Sequence, residues 1–266
     1  MTEAGALRSI ERDGVTIECS LVPWDSETFG FPVAMITRIK LNSGVAQAAA
    51  ALNEFDMWCA ENAVSLVSCR LGHLQLHESM ALEEHGFRFI EMVYSPRLDH
   101  LDRIPEPRLP IQVARAESNE LASIEAIAFA AFTTGRFLLD WRLPADLSSR
   151  RYASWVRTSL NREGQTVLKA ELDGELVGFF IVEHRPDQSV YWHLTAVAPQ
   201  SQGKGVGMSL WQTMLRRHGA EGAAYVETTI SGHNPTALNL YARLGFSFEA
   251  PQMTFHWLRD PRVVSS

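Results

Sequence analysis

Apolar patterns divide the first hundred residues into short elements. Residues 15–21 and 33–39 alternate between apolar and polar positions, which is typical of half-buried strands. An alanine-rich stretch up to Glu61 carries apolar side chains on one helical face, and Ser43 is expected to cap it. A strand, a short helix and another strand are then expected at 64–71, 76–85 and 86–91. The pattern predicts a compact β-β-α-β-α-β unit.

A proline-rich, charged stretch interrupts this pattern. Pro96, Pro105, Pro107 and Pro110 fall within it. Because proline lacks a backbone donor and fixes φ, such a segment is suited neither to a helix nor to a central strand. We therefore predict a linker from about residue 96, with domains at 1–104 and 105–266.

The remaining pattern is consistent with one mixed domain in the order β-α-α-β-β-β-α-β-α-β-β. Two apolar runs flank Asp173-Gly174, a dipeptide that favours a tight hairpin turn. A third strand at 189–197 leads into a helix. The closing strands, 245–249 and 253–258, are expected to pair with each other.

The segment after the 189–197 strand has the composition of a ligand-binding loop. The chain turns at Pro199, passes three glycines within five residues at Gly203, Gly205 and Gly207, and then becomes helical. Glycine lets the backbone approach a ligand closely, and the first turn of a helix has N–H groups without intrahelical partners. The loop therefore predicts a site for a pyrophosphate bound by main chain.

Two common phosphate loops do not fit. A nucleotide P-loop requires Ser or Thr after its lysine, but Gly205 follows Lys204. A dinucleotide fingerprint that starts at Gly203 requires glycine where Met208 stands. Two interpretations of the segment remain: a coenzyme-binding loop, or a glycine-rich turn before an ordinary packed helix.

A second motif favours the coenzyme loop. Gln202-x-x-Gly205-x-Gly207 resembles the acetyl-CoA loop of the GNAT superfamily of N-acetyltransferases, and the stretch from Asn234 to Phe246 resembles that superfamily's Asn-x-x-Ala-x-x-Leu-Tyr-x-x-x-Gly-Phe signature. Gly86-Phe87 repeats the end of this signature without a glycine loop before it. The resemblance implies an α/β GNAT fold, a mixed and mostly antiparallel sheet flanked by helices, preceded by a smaller, truncated and non-catalytic GNAT-like domain.

The resemblance also implies an acyl-CoA cofactor, acetyl-CoA or another short acyl-CoA. Backbone groups of Thr195 and Val197 would pair with the pantetheine as an added strand would. The expected cofactor-binding residues are Thr195, Ala196, Val197, Gln202, Gly203, Lys204, Gly205, Val206, Gly207, Asn234 and Ala237.

Amine acylation requires a proton donor for the leaving thiolate. Tyr241 matches the tyrosine that has this role in many superfamily members, and a phenol of pKa about 10 is protonated at neutral pH. The alternative is a packed aromatic, because Ala237, Leu238 and Leu244 share its helix face.

The reaction also requires an acceptor for the proton of the amine. Strand alternation places Tyr191, His193, Thr195 and Val197 on one side. A histidine of reference pKa about 6.5 can accept that proton, and arylalkylamine N-acetyltransferases of the superfamily have histidines at the positions of His193 and Tyr191. The alternatives are a structural His193 and proton transfer to ordered water, with Glu227 and His233 as further candidates.

The acceptor substrate is predicted from resemblance alone. Residues 24–30, 130–137 and 151–155 resemble the nucleotide-sugar N-acyltransferases of the dTDP-fucosamine acetyltransferase type, which implies a dTDP-linked deoxyamino sugar and a homodimer. The alternatives are acylation of a protein N-terminus, an aminoglycoside or another small amine. A further alternative is a non-catalytic protein that binds acyl-CoA. The expected substrate-binding residues are Asp25, Arg136, Trp141, Tyr191 and Glu227.

Composition restricts the partners further. A formal charge of −7 and a pI near 5.7 argue against nucleic acid as the main partner. No apolar run approaches the length of a membrane span and no leader pattern is visible, so we expect a cytoplasmic protein without membrane insertion. The three cysteines have no paired spacing and are expected to be reduced thiols in the core. No metal is expected.

Overall fold

The computed structural model describes residues 5–42, 44 and 47–259. Ser43, the expected helix cap, lies outside these residues. The first elements are β1 (Arg8–Arg12), β2 (Val15–Leu21), α1 (Pro23–Phe29), β3 (Val33–Leu41), α2 (Ala48–Glu61), β4 (Leu66–Gly72), α3 (Leu76–Glu84), β5 (Arg88–Tyr94), β6 (Pro96–Asp99), β7 (Gln112–Arg115) and α4 (Leu121–Ala131). The later ones are α5 (Arg136–Leu139), α6 (Asp146–Ser159), β8 (Gln165–Leu172), β9 (Glu175–His184), β10 (Ser189–Val197), α7 (Val206–Ala220), β11 (Tyr225–Thr228), β12 (Ile230–Ser231), α8 (Pro235–Arg243), β13 (Ser247–Phe248) and β14 (Gln252–Leu258).

The described residues form two compact units. The first unit takes its residues from Met1–Val93, Arg136–Leu147 and Ala250–Ser266, and the second from Tyr94–Gly135 and Ser148–Glu249. This division differs from the single boundary expected near residue 105. Two later segments of the chain belong to the first unit.

The last strand explains part of that difference. In the first unit the strands follow the order β1-β2-β3-β4-β14-β5, so β14 lies between β4 and β5 and is antiparallel to both. The expected pairing of 245–249 with 253–258 is therefore wrong, since β13 pairs with β6. Phe255 is buried in the core of the first unit, and Met253 and Trp257 pack against that core. Burial of this apolar face places the strand there.

The second unit is a mixed sheet in the order β13-β6-β11-β10-β9-β8-β7. Only the pair β10 and β11 is parallel among these described strands. Six consecutive residues of β9 are buried, as expected of a central strand that is covered on both faces. Leu210 and Met214 of α7 pack in one core, and Ile124 of α4 packs in the other. Within the described residues, no helix is long and apolar enough to cross a membrane.

A buried histidine makes the stability of the second unit dependent on pH. His218 is fully buried, and its Nε2 accepts a hydrogen bond of 3.1 Å from the indole N–H of Trp192. Burial lowers the pKa of His218 to about 4, against a reference value of about 6.5 for an unfolded chain. Between these values the unfolded state binds more protons than the folded state. The contribution of His218 to the free energy of unfolding is therefore fully present above pH 6.5 and is lost as the pH falls toward 4.

We expect His218 to contribute roughly 3 kcal/mol to this loss. Urea unfolding followed between pH 4 and pH 7 measures it, with the wild type compared with His218→Gln. The variant should be less stable at neutral pH but should lose less stability on acidification. His77→Gln, at an exposed position, is the control. An unchanged pH dependence in His218→Gln would show that this histidine is not the titrating group.

Candidate active site

The strands β10 and β11 diverge partway along their length. They pair in parallel from Ser189 and Tyr225 up to Trp192 and Thr228, where the pairing ends. The hydroxyl of Thr228 donates to the carbonyl of Trp192 at 2.6 Å, so a side chain supplies the hydrogen bond at the end of this pairing. A bulge in the pairing of β10 with β9 follows at once, at His193. Bulges bend and twist a strand, and this one turns β10 away from β11.

Beyond this fork, one edge of β10 is open. The amide of Ala198 donates to the carbonyl of Val177 at 2.8 Å, so this amide points toward β9. Because alternate residues of an antiparallel strand point their backbone groups in opposite directions, those of Thr195 and Val197 point away from β9. No strand of the described residues pairs with this edge. An extended ligand can therefore add there as a strand would.

The glycine loop follows this edge directly. Gly203 and Gly205 have φ of 73° and 79°, a region that glycine enters without steric cost. Lys204 is exposed, whereas Val206 is buried and anchors the first turn of α7. That helix starts at Gly205 without a side-chain cap and without an acidic residue in its first turn. Its first N–H groups are suited to bind an anion.

The other expected cofactor residues have distinct placements. The side-chain amide of Gln202 donates to the carbonyl of Val197 at 3.1 Å and ties the loop to the open strand. A Cβ on Gly207 would lie 3.7 Å from the side chain of Val197, an ordinary contact. Ala196 is buried in a core of the second unit, so its side chain has a packing role. Asn234 caps α8, because its side chain accepts from the amide of Ala237 at 3.0 Å.

Tyr241, on α8, lies at the fork. Its ring is almost completely buried and packs edge-on against Trp211 and Phe246, with centroids 6.3 and 4.8 Å away. Burial raises the pKa of its phenol to about 12, opposed by the nearby side chains of Trp211, Thr195 and Thr228. Two of these neighbours, Thr195 and Thr228, flank the divergence of the strands. The hydroxyl is therefore protonated at neutral pH and is held where β10 leaves β11.

His193 and Tyr191 lie together, as the alternation predicts. Their ring centroids are 4.7 Å apart, and the ring of Trp155 lies 6.3 Å from that of His193. Nε2 of His193 is 2.6 Å from Oε2 of Glu183 on β9. Burial lowers the pKa of His193, and Glu183 opposes this shift. A neutral imidazole can accept a proton.

Glu227 is already paired within the second unit. Its carboxylate accepts from the guanidinium of Arg185, which also lies 4.4 Å above the ring of Tyr191. The Tyr191 hydroxyl is 3.3 Å from the hydroxyl of Thr229. The structure thus brings Tyr191, His193 and Glu227 into one cluster, but Glu227 has an arginine partner. We call Glu183, Arg185, Tyr191, His193 and Glu227 the acidic-aromatic cluster.

The comparisons with known proteins identify the family. Residues 126–246 match the Acetyltransferase (GNAT) family. An L-2,4-diaminobutyric acid acetyltransferase of Nocardia farcinica is 37% identical over 144 residues, which cover 52% of this chain and 72% of that protein. The chain belongs to the GNAT family. A dTDP-fucosamine acetyltransferase of Escherichia coli O6:H1 is 26% identical over 196 residues, 73% of this chain and 81% of that protein.

The solved structures show the same fold. A GCN5-related N-acetyltransferase from Sphaerobacter thermophilus is similar with a TM-score of 0.66 at 15% identity, covering 91% of this chain and 76% of that chain. The predicted GNAT fold, with mixed and mostly antiparallel sheets flanked by helices, is therefore confirmed. Matches to two other curated relatives cover 48% of the length of each, so the chain spans about half of those proteins.

Three expected substrate-binding residues of this GNAT protein belong to the first unit. Asp25 lies on α1 and is buried, Arg136 begins α5, and Trp141 is 89% exposed. The same unit contains a buried ionic cluster that sequence patterns do not predict. Asp140 accepts from Arg142 at 2.8 Å and lies 3.0 Å from Nδ1 of His256. Asp140 and Arg142 are neighbours in the chain, but His256 lies 116 residues after Asp140, and local patterns do not connect it to them.

One group of side chains has the composition of a metal site. His184, His218 and Glu221 each place a ligand atom within 4.8 Å of the others. Nε2 of His218 already accepts from Trp192, so the ring proton resides on Nδ1, which is 3.3 Å from Glu221. With one ring nitrogen hydrogen-bonded and the other protonated, His218 does not fit the role of a metal ligand.

Glu183 is the site residue that sequence reasoning missed. It lies near the end of β9, directly opposite Tyr191 of β10. The signal for it was the short connection between two consecutive antiparallel strands, because this fixes their register and hence the cross-strand neighbours of His193. Alternation along β10 alone does not indicate this neighbour.

Proposed function

We propose that this GNAT protein is an acyl-CoA-dependent N-acyltransferase, and that its second unit binds the cofactor. The observation that carries the proposal is the open backbone edge at Thr195 and Val197, followed directly by the glycine loop. This edge would pair with the amides of the pantetheine arm, and the first turn of α7 would bind the pyrophosphate. Acetyl-CoA is the proposed donor, as for the family in general.

The reaction is the attack of a primary amine on the thioester carbonyl. A C–N bond forms, the C–S bond breaks, and the amine loses a proton. We propose that His193 accepts this proton, because its neutral imidazole lies on the same strand as the cofactor edge. Tyr241 donates the proton of its hydroxyl to the leaving sulfur and regains one from solvent after CoA is released, since its raised pKa favours the protonated phenol at the start of each turnover.

For the acceptor we propose an amine on a dTDP-linked deoxyamino sugar. The dTDP-fucosamine acetyltransferase matches 73% of this chain, more than residues 126–246 alone contain, so the similarity extends outside the GNAT match. Asp25, Arg136, Trp141, Tyr191 and Glu227 stay proposed substrate-binding residues on the resemblance alone. A cytoplasmic homodimer belongs to the same proposal, and light scattering on the purified protein tests the dimer.

A small diamino acid is the second candidate acceptor. The relative with this acceptor in its name has 37% identity to this chain, a higher value than the sugar acetyltransferase has. The carboxylate of Glu183 lies beside His193, and a carboxylate attracts an ammonium group. Both candidates present a primary amine.

The acceptor is tested by the release of CoA from acetyl-CoA with a panel of amines. The panel contains dTDP- and UDP-amino sugars, 2,4-diaminobutyrate, an aminoglycoside and a peptide with a free N-terminus. We expect the highest kcat/KM with a dTDP-amino sugar. Turnover of 2,4-diaminobutyrate alone would favour the second candidate. Activity on peptides alone would contradict both.

His193→Gln is expected to lower kcat about a hundredfold with the best acceptor of that panel, since general base catalysis is worth on the order of 10²- to 10⁴-fold. It should also remove the fall in kcat/KM at low pH that protonation of the imidazole causes. The readout is the pH–rate profile. His77→Gln, at an exposed position of the first unit, should leave the profile unchanged. If His193→Gln keeps full turnover, water or another group accepts the proton.

A further inference from the structure

Glu183 is the one acidic partner of His193 in the acidic-aromatic cluster. Its Oε2 lies 2.6 Å from Nε2 of His193, a short distance typical of a charge-assisted hydrogen bond. The two residues lie on adjacent antiparallel strands, and Glu183 pairs directly with Tyr191. The side chain of His193 is 16% exposed and that of Glu183 is 35% exposed, so the imidazole is the more buried partner. Rigid strands therefore hold this pair.

We propose that Glu183 is a positioning residue for the acyl transfer: its carboxylate accepts from Nε2–H of His193 and leaves Nδ1 as the nitrogen that takes the proton from the amine. A neutral imidazole has one protonated nitrogen, and a carboxylate can only accept a hydrogen bond. The contact therefore selects the tautomer with the proton on Nε2. This inference rests on the proposed function, in which His193 is the base.

Charged and aromatic side chains from several elements surround His193. Glu183 and Arg185 approach from β9, Tyr191 and Trp155 contribute aromatic rings, and Arg162 follows α6. Burial lowers the pKa of His193 most, and Arg162 and Arg185 act in the same direction. Arg185 is itself paired with the carboxylate of Glu227. Glu183 is the group that opposes these effects, so it increases the basicity of the imidazole.

The proton of the amine passes through His193 to solvent, and Glu183 keeps its charge throughout. Nδ1 takes the proton of the amine as the C–N bond forms, and the ring becomes an imidazolium with protons on both nitrogens. The carboxylate of Glu183 faces the Nε2 proton and stabilises that charge without taking the proton itself. Nδ1 then releases its proton to solvent, and the starting tautomer returns. Glu183 does not touch the reacting atoms at any step.

The experiment compares the wild type with Glu183→Gln by two measurements. Nitrogen NMR of the histidine side chains in the free protein reports the tautomer and pKa of His193, whose signal is assigned with His193→Gln. The pH–rate profile, with acetyl-CoA and the best acceptor, reports the effect on catalysis. Glu175→Gln, an exposed position on the same strand, is the matched control.

We expect the wild type to have the proton of His193 on Nε2. In Glu183→Gln the pKa of His193 should fall, because the charge that opposed its lowering is gone. The low-pH limb of kcat/KM should move to lower pH by the same amount, with turnover reduced about tenfold, less than in His193→Gln. Affinity for acetyl-CoA should not change. The control should match the wild type in each measurement.

Two results would overturn the proposal. A proton on Nδ1 in the wild type would show that Glu183 does not select the stated tautomer. A pH–rate profile unchanged in Glu183→Gln, while His193→Gln loses its low-pH limb, would show that His193 is the base without help from Glu183. If His193→Gln itself keeps the limb, the base assignment in the proposed function fails, and NMR shows whether the pair still exists.

Discussion

Tyr241→Phe is expected to lower kcat by about 10²- to 10⁴-fold, the range for loss of a general acid. The phenol is protonated at neutral pH because burial raises its pKa to about 12. Its hydroxyl lies beside Thr195 and Thr228, at the point where the strands diverge. Phenylalanine fills the same space, so the packing against Trp211 is kept. The affinity for acetyl-CoA should therefore stay within about twofold, because the lost interaction belongs to the transition state.

The measurement is steady-state turnover together with calorimetric titration of acetyl-CoA. Tyr225→Phe is the matched control, because its exposed hydroxyl donates to Asp187 at 2.7 Å and has no expected catalytic role. A thermal unfolding curve separates a chemical defect from a folding defect. If Tyr241→Phe turns over as fast as the control, this tyrosine is a packed aromatic, the alternative that the sequence left open.

A negative charge in the glycine loop is expected to abolish most of the affinity for acetyl-CoA. Gly205 has φ of 79°, a region that Asn and Asp enter more readily than other residues with a side chain. Gly205→Asp and Gly205→Asn therefore place side chains of similar size at the start of α7. They differ in charge beside the proposed pyrophosphate site. We expect the Kd of the Asp variant to exceed that of the Asn variant by at least about tenfold, since juxtaposed like charges cost several kcal/mol.

Helix stability cannot explain such a difference. An acidic residue at a helix N-terminus stabilises the helix, so α7 should be at least as stable with Asp as with Asn. Titration of acetyl-CoA at two salt concentrations provides a second readout, because salt screens the repulsion at this exposed loop and should narrow the difference. Equal Kd values for the two variants would show that the pyrophosphate does not lie at this helix start.

The local parts of the site could be predicted from the sequence. The glycine spacing, the helix that follows it and the signature from Asn234 to Phe246 each depend on residues close together in the chain. The alternation of β10 likewise placed Tyr191 and His193 on one side, and the structure brings them together. Backbone geometry and local hydrogen bonds dictate these features, so a single sequence contains them.

The parts that failed depend on distant contacts. The strand β14 pairs with β4, far earlier in the chain, because both offer apolar residues to the same core. Nothing near residues 252–258 indicates that partner. Glu183 was missed for a related reason, since its place beside His193 follows from the register of two strands rather than from either strand alone. The pairing of Glu227 with Arg185 has the same origin.

The central claim is that acyl-CoA lies on the open edge of β10 and at the start of α7. Hydrogen–deuterium exchange of the full chain, with and without saturating CoA, tests it most directly. We expect slower exchange in peptides that contain the amides of Thr195 and Val197 and in peptides that span 203–208. Exchange that is unchanged in both segments when CoA is bound would contradict the account.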